Sequence, residues 1–426
     1  MQSGEKLRIA LIIVLWIGAS LITAVRPVRA EAGLNAGDLV ELAIESNPQI
    51  HSMHAQWQAA QHQILQNYAP ADPVFTYSNV DSSKDFNAAT HGHAFTENFQ
   101  FPGKALFQAG QAKRTAIIAR LAYEAALRDL RAAVETGYYQ VLLDDALIDV
   151  TRENLENLHQ VVKVTETAYS GGEAAQSDVI TAEVNLAQAQ LQQRQYQTNK
   201  LNDETTLNQL IYRDPGSPLD LDRTIRLDRV TLSLQTAVDL AYNARQEILE
   251  AALSEKNQDT AVKLAKFEYV PDYTVGYEFD YFLQPGAQPL PNVTQAHTWS
   301  IGFNLPVFFW IHQREDVKSA EYSLEAARSN LRLIRSQTAA TVTTIYRTMQ
   351  FAYESAQLYR DSLIPLANQD FIVALTAYQA RKIDFIALSV ALQASYANRI
   401  NLLQASNQFL AGEVSLEQAI GAPLEK

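Results

Sequence analysis

Two periodicities alternate along the chain. From Asp38 to Ala69 apolar residues recur at Leu39, Leu42, Ala43, Ile50, Met53, Trp57 and Ile64, the spacing of one helix face, and Thr236 to Val270 repeats the pattern. Each helix is followed by segments of period two. Asp272 to Tyr281 sets Tyr273, Val275, Tyr277, Phe279 and Tyr281 against Asp272, Thr274, Gly276, Glu278 and Asp280. Thr298 to Leu305 sets Trp299, Ile301, Phe303 and Leu305 against Thr298, Ser300, Gly302 and Asn304. In the first half Phe75 and Tyr77 alternate with Thr76 and Ser78, whereas Phe95, Phe99 and Phe101 share their face with Glu97, an exception to the pattern. Strands are therefore predicted over 73–81, 93–101, 272–282 and 297–305.

After each strand pair comes a long helical stretch, Gly103 to Tyr169 and about Arg314 to Tyr378, each spanning about 100 Å at 1.5 Å per residue. A break and a shorter helix follow, Asp178 to Tyr212 and Phe385 to Gly421, with heptad-like apolar spacing. In each half the two shorter helices together match the long one, so stacked end to end they could line its length. Proline is absent from Gly103 to Asp214, Val307 to Ile364 and Leu366 to Ala422, which leaves the Pro-containing stretches as the non-helical parts.

The chain also repeats itself. Residues 168–212 match 377–421 at a constant offset of 209, through Ala168-Tyr169 with Ala377-Tyr378, Ala182 with Ala391, Leu207 with Leu416 and Ile211 with Ile420. Leu42-Ala43 and Ile50 match Leu240-Ala241 and Ile248 at an offset of 198. The expected organisation is a leader over 1–30, a first repeat over 31–213, an equatorial linker over 214–234 that crosses outside the helical wall, and a second repeat over 235–426.

Composition narrows the class. With 19% charged residues the 426-residue chain has no room for a series of apolar spans of about twenty residues, which excludes a polytopic helical transporter. Lys6 and Arg8 precede an apolar run from Ile9 to Val25 that ends at Val28-Arg29-Ala30, the pattern of a secretory signal peptide cut after Ala30; a retained single-span anchor is the alternative. The net charge of −13 argues against nucleic acid as a partner. There is no cysteine, hence neither a disulfide nor a lipidated cysteine.

In an exported chain, strands with an aromatic face opposed to a small and acidic face form the pattern of a transmembrane β-barrel with a wet lumen. Asp272, Glu278 and Asp280 are the candidate lumen residues. Four strands cannot close a barrel, so it must be shared between chains; a soluble sandwich is the alternative. Enzymatic chemistry lacks support, with no G-x-S-x-G, H-E-x-x-H, P-loop or G-x-G-x-x-G and no thiol. His51, His54 and His62, and His91 and His93, have no carboxylate at ligand spacing and are read as solvated, so no metal or cofactor is expected.

The breaks between long and short helices differ between the halves. Tyr169-Ser170-Gly171-Gly172-Glu173 contains two glycines for left-handed turns, with Ser177 and Asp178 as candidate N-caps. Arg381 and Lys382 stand where the other half has glycines, followed by Asp384 as cap. For any one of these residues plain capping and solvated charge is the expected role, with a salt-bridge latch between Glu173 or Asp178 and Arg381 or Lys382 as the alternative.

These features together resemble the TolC-type outer membrane efflux protein family. The resemblance is carried by Leu42-Ala43 with Asn47-Pro48, Phe99-Gln100-Phe101-Pro102-Gly103-Lys104, Pro365 before Tyr378, the paired tips, Ala182 and Ala391, and the terminal Leu416…Ile420-Gly421. It implies a mainly α fold with a small transmembrane β part. Three chains would share a twelve-stranded barrel and a twelve-helix coiled-coil tunnel in the outer membrane and periplasm of a Gram-negative bacterium. It further implies a passive duct that works with a periplasmic membrane-fusion adaptor and an inner membrane pump, with no chemistry of its own. Tyr378 and Asp178 fall on the family's tip-closing positions; the expected Arg position holds Ile383, and Ala387 and Val390 stand where some members place an acidic ring, so Asp384 or Glu173 would have to substitute. Phe101-Pro102-Gly103-Lys104 resembles the heavy-metal branch served by resistance-nodulation-division pumps, with drugs as the other cargo. The rivals are a protein secretion duct and a soluble periplasmic coiled-coil interaction protein.

Overall fold

Asn35 and Asp38 start the first helix reciprocally: the Asn35 side chain accepts from Asp38 N and the Asp38 carboxylate accepts from Asn35 N, a capping box that opens α1 (Ala36–Ser46). The computed structural model describes residues 33–79, 89–224, 227–284 and 292–424; the expected leader over 1–30 and the ends of the predicted strands at residues 80 and 81 lie outside the described residues. α1 was expected to run on to Ala69. Instead it stops at Asn47, because Pro48 excludes helical backbone from the residue before it, and the Asn47 side chain caps Gln49 N at the start of α2 (Pro48–Gln66). The second half breaks at the equivalent Arg245, also extended, which divides α5 (Leu234–Ala244) from α6 (Gln246–Phe267) without a proline.

Between these lie β1 (Val74–Asn79), β2 (Ala89–Phe99), the 69-residue α3 (Pro102–Ser170) and α4 (Gln176–Leu210). After α6 come β3 (Tyr273–Gln284), β4 (Asn292–Phe303), α7 (His312–Leu358), a π turn over Tyr359–Leu363, α8 (Ile364–Gln379) and α9 (Phe385–Ile420). The π turn relieves Pro365, which lacks an N–H and whose ring crowds the carbonyl four residues back; widening that turn lets helix continue to the tip. α2 and α4 both pack along α3, and α6, α5 and α9 along α7, so short helices stack against each long one. Buried clusters run up the rod: Leu39, Val134, Val141 and Leu207 near the middle of the first half, Val342, Ala352, Phe409 and Leu416 in the second, and Leu158, Ala182, Leu388 and Leu392 toward the tips. The linker lies against this wall: Leu34 pairs with Leu221, and the Tyr138 hydroxyl donates to Asp222 O.

The four strands form one antiparallel sheet in the order β1-β2-β3-β4. Its register stacks residues in rows of one face, Phe75/Phe95/Tyr277/Trp299 beside Tyr77/His93/Phe279/His297, with Phe99/Tyr273/Phe303 nearest the helices. Glu97 does lie on this face, opposite Val275, and no ion pair to it is found among the described residues. The other face is crowded: a Cβ at Gly92 would come within 2.6 Å of Ser78 Oγ and Asp280 Oδ1. This small and polar face carries Glu278 and Asp280, opposite the aromatic face. Asp272 is a correction. It precedes β3, and its carboxylate is taken up at the junction with the helices, accepting from Phe101 N at 2.9 Å and from the Lys104 ammonium at 3.0 Å.

Lys104, one turn into α3, is 2% exposed and also reaches Glu268 Oε2 at 3.2 Å. Gly103 beside it has no room for a side chain, since a Cβ would stand 2.9 Å from the Phe267 ring. The Phe-Pro-Gly-Lys segment is therefore a clasp: Pro102 starts α3, Gly103 lets Phe267 close in, and Lys104 bridges to the second repeat.

Candidate functional site: the hairpin tips

The two helical hairpins close with the same backbone bonds. In the first, Gly171 N, Gly172 N and Glu173 N donate to Thr167 O, Tyr169 O and Ala168 O at 3.1, 2.9 and 2.8 Å; in the second, Ala380 N, Arg381 N and Lys382 N donate to Thr376 O, Tyr378 O and Ala377 O at 3.0, 2.9 and 2.8 Å. Both are Schellman-type ends with one residue in left-handed conformation. Gly172 has φ 76, while Gly171 stays in the right-handed region at φ −79, so only one of the two expected glycines is used. Arg381, with φ 61, adopts the same conformation without being glycine.

The helix starts differ from expectation in one half. Ala175, in extended conformation, occupies the N-cap of α4 and offers no side chain, so Ser177 and Asp178 are first-turn residues, not caps. A carboxylate there is still favoured by the helix dipole. Asp384 is the cap of α9, its Oδ1 accepting from Ala387 N at 2.9 Å.

Between the hairpins lies a cavity of about 720 Å³. Glu173 and Asp178 line it from one side with Gln160, Lys163 and Thr167; Tyr378, Arg381 and Asp384 line it from the other with Phe385. The Arg381 guanidinium forms an ion pair with Glu173 across the gap. Lys382 takes no part in an ion pair among the described residues, and Lys382, Gly172 and the exposed Tyr169 do not line the cavity. Tyr378 is buried, set edge-on to Phe385 at 6.2 Å, with its hydroxyl lacking a hydrogen-bond partner of sound geometry. Burial pushes its pKa up, the neighbouring Thr165 pulls it down, and the Asp178 carboxylate raises it further.

A second polar feature was not anticipated. Within α3 Asp144 is 2% exposed, hydrogen-bonds to the Asp203 side chain of α4, and leaves Oδ2 without a partner. Burial first, then Asp203 and Asp145, raise its pKa to about 7, against a lowering by Lys200. Asp145 is bound by Lys200 at 2.6 Å and Arg223 at 3.1 Å. No periodicity marks this pair: Asp144 reads as a polar residue in a helix until the antiparallel partner is known.

Among the described residues no group of three or more His, Asp or Glu side chains is placed to hold a metal ion. His54 sits edge-on to Trp57 and tilted against Tyr123, His51 Nε2 lies 3.0 Å from Glu45 O, and His91 and His93 lie on the aromatic face of the sheet beside Tyr77.

The model of a family described as outer membrane efflux protein matches the chain twice, over residues 39–211 and 237–422. Among solved structures the chain resembles the outer membrane protein VceC from Vibrio cholerae, with TM-score 0.77 and 17% identity over 92% of this chain and 97% of that one. It also resembles the open state of the Neisseria gonorrhoeae MtrE outer membrane channel, with TM-score 0.73 and 14% identity over 92% and 90%. A toxin and drug export protein A of Aggregatibacter actinomycetemcomitans is 24% identical over 321 residues, 70% of this chain and 65% of that protein. An uncharacterized Haemophilus influenzae protein is 23% identical over 236 residues, 55% of this chain. The chain thus spans between half and two thirds of the length of these curated relatives.

Proposed function

Because this chain belongs to the outer membrane efflux protein family, we propose that it is the outer membrane duct of a tripartite export system, a homotrimer that conducts passively and catalyses nothing. The observation that carries this is the open sheet. β1 and β4 each have a neighbour on one side only, and the sheet carries an aromatic outer face. Unpaired edges are not tolerated in lipid, so a membrane sheet of this kind closes by adding copies of itself. Three copies make twelve strands, continued by the stacked helices as a tunnel into the periplasm.

Substrate then arrives from an inner membrane pump, of resistance-nodulation-division type, through a periplasmic adaptor engaged at the helical tips. It enters when the hairpins part, and leaves past Glu278 and Asp280 through the barrel. The Arg381–Glu173 pair and the buried Tyr378 hold the resting tip. Cargo is a cation or a drug. The relative whose name includes toxin export favours one second reading, a duct for secreted protein, which a partner pump driven by ATP would establish.

The deciding experiment is membrane fractionation followed by mass measurement in mild detergent. A trimer from the outer membrane supports the duct; a monomer or dimer extracted without detergent overturns it in favour of a soluble periplasmic protein.

A further inference from the structure

The aromatic face of β4 does not end with the strand. Trp299, Ile301 and Phe303 are followed by Leu305, and then by the turn Val307-Phe308-Phe309-Trp310-Ile311, in which every side chain is 49% or more exposed. This turn is folded on itself: Val307 N donates to Leu305 O at 2.8 Å, Ile311 N to Phe308 O at 2.9 Å, His312 N to Phe308 O at 3.1 Å and Arg314 N to Phe309 O at 3.0 Å. Its rings form a cluster, with Phe308 and Phe309 at 5.9 and 5.3 Å from Trp310, and Tyr269 at the end of α6 at 6.3 Å from Phe309. The first repeat has nothing comparable, since Phe101 passes into α3 at Pro102 directly. Beyond Ile311 the sequence turns charged at once, with Arg314, Glu315, Asp316 and Lys318.

We propose that Val307 to Ile311 is an interfacial membrane anchor, seated in the phospholipid leaflet that borders the tunnel end of the barrel. The occupant is lipid because the patch continues the lipid-facing column of β4 without interruption, and so the proposal rests on the barrel reading above. Two further features fit the boundary between hydrocarbon and headgroups. The turn ties Val307 N and Ile311 N back to neighbouring carbonyls, which leaves fewer backbone groups for headgroups and water to solvate. Trp310 and Tyr269 combine an apolar ring with a polar tip, the chemistry of an interfacial belt. The charged residues that follow stop the chain from sinking further. Each protomer would supply one such anchor, at the place where the barrel meets the tunnel.

The test uses the full chain with single tryptophans, reconstituted in vesicles of phosphatidylethanolamine and phosphatidylglycerol. One form keeps Trp310, with Trp16, Trp57 and Trp299 replaced by Phe; the other keeps Trp299, with Trp16, Trp57 and Trp310 replaced. Trp310 emission should be blue-shifted. It should be quenched more by lipids brominated near the headgroup than by lipids brominated near the chain ends, and poorly by aqueous iodide. Quenching by iodide alone would leave the turn in water, and protection from both quenchers would place it under a neighbouring protomer; either result overturns the anchor. If Trp299 is quenched by bromolipid while Trp310 is not, the anchor fails and the barrel stands. If neither is, the barrel reading fails with it.

Discussion

Gly172 and Arg381 stand 209 positions apart in the sequence and hold the same left-handed place at the end of a long helix, with φ 76 and 61. For arginine this conformation costs about 1–2 kcal/mol. Its compensation is positional, because the left-handed turn aims the guanidinium across the cavity at Glu173. Arg381→Gly should therefore relax the backbone yet loosen the tip, and Glu173→Gln should loosen it with no backbone change. Single-channel recordings in planar bilayers should show higher conductance for both; a wild-type trace from Glu173→Gln would remove the ion pair from the gate. Gly172→Ala, with nothing within 4 Å of its Cβ, should cost about 1 kcal/mol from backbone strain alone.

Lys104 and its two carboxylates are unequal partners. Lys104 is buried, while Glu268 and Asp272 keep part of their surface in water. Lys104→Met strands carboxylates that solvent can reach, and should cost roughly 1–2 kcal/mol; Glu268→Gln with Asp272→Asn strands a buried cation and should cost more, toward about 3–5 kcal/mol. Thermal dissociation of the trimer in detergent would rank the two, and the reverse order would mean that Lys104 is not held by charge.

Asp144 should make the tunnel sensitive to pH. Its pKa in the folded chain is raised from 3.8 to about 7, so between these values the folded form keeps a proton that the unfolded chain has lost. Stability from this site is present at low pH and falls as pH rises through 7. The groups around Asp144 are Asp203, Lys200 and Tyr196 on α4 and Asp145 on its own helix, with Arg223 of the linker on Asp145. Asp144→Asn should be more stable than wild type at pH 8, by about 1–3 kcal/mol, with the difference shrinking toward pH 5. Denaturation followed at both pH values decides it, and a difference independent of pH would assign the effect to packing.

The two faces of the sheet should respond oppositely to charge. Glu278→Lys, on the polar face, should lower cation preference while leaving assembly intact. Trp299→Lys, on the outer face and 75% exposed in the single chain, should block assembly, at a cost of about 2–4 kcal/mol near mid-membrane. Reversal potentials in a salt gradient and the yield of trimer measure the two; loss of assembly from Glu278→Lys would exchange the faces.

Much of this molecule was legible from local pattern. Helices and strands came from periods of 3.6 and two because side-chain direction follows backbone geometry, whatever the neighbours. The offset of 209 marked both tips although their turn residues differ, since the matching Ala168-Tyr169 and Ala377-Tyr378 end the helices with the same backbone bonds. Local pattern failed where the outcome depends on a distant partner. The break at Arg245 has no proline to announce it; it is held by Glu247, with Arg245 Nε at 3.0 Å and Arg128 Nη2 at 2.7 Å from the carboxylate. Asp272 alternates with the other acidic residues of β3 but belongs to Lys104, 168 positions earlier. Asp144 meets Asp203 only because α3 and α4 fold back on each other, and of two cationic side chains at the second tip, tertiary packing lets Arg381 reach Glu173. Sequence by itself determined the elements and their repetition, which are matters of local geometry. The partners of its charged groups were decided only by tertiary structure, because Coulombic and hydrogen-bond energies depend on where the chain returns to itself.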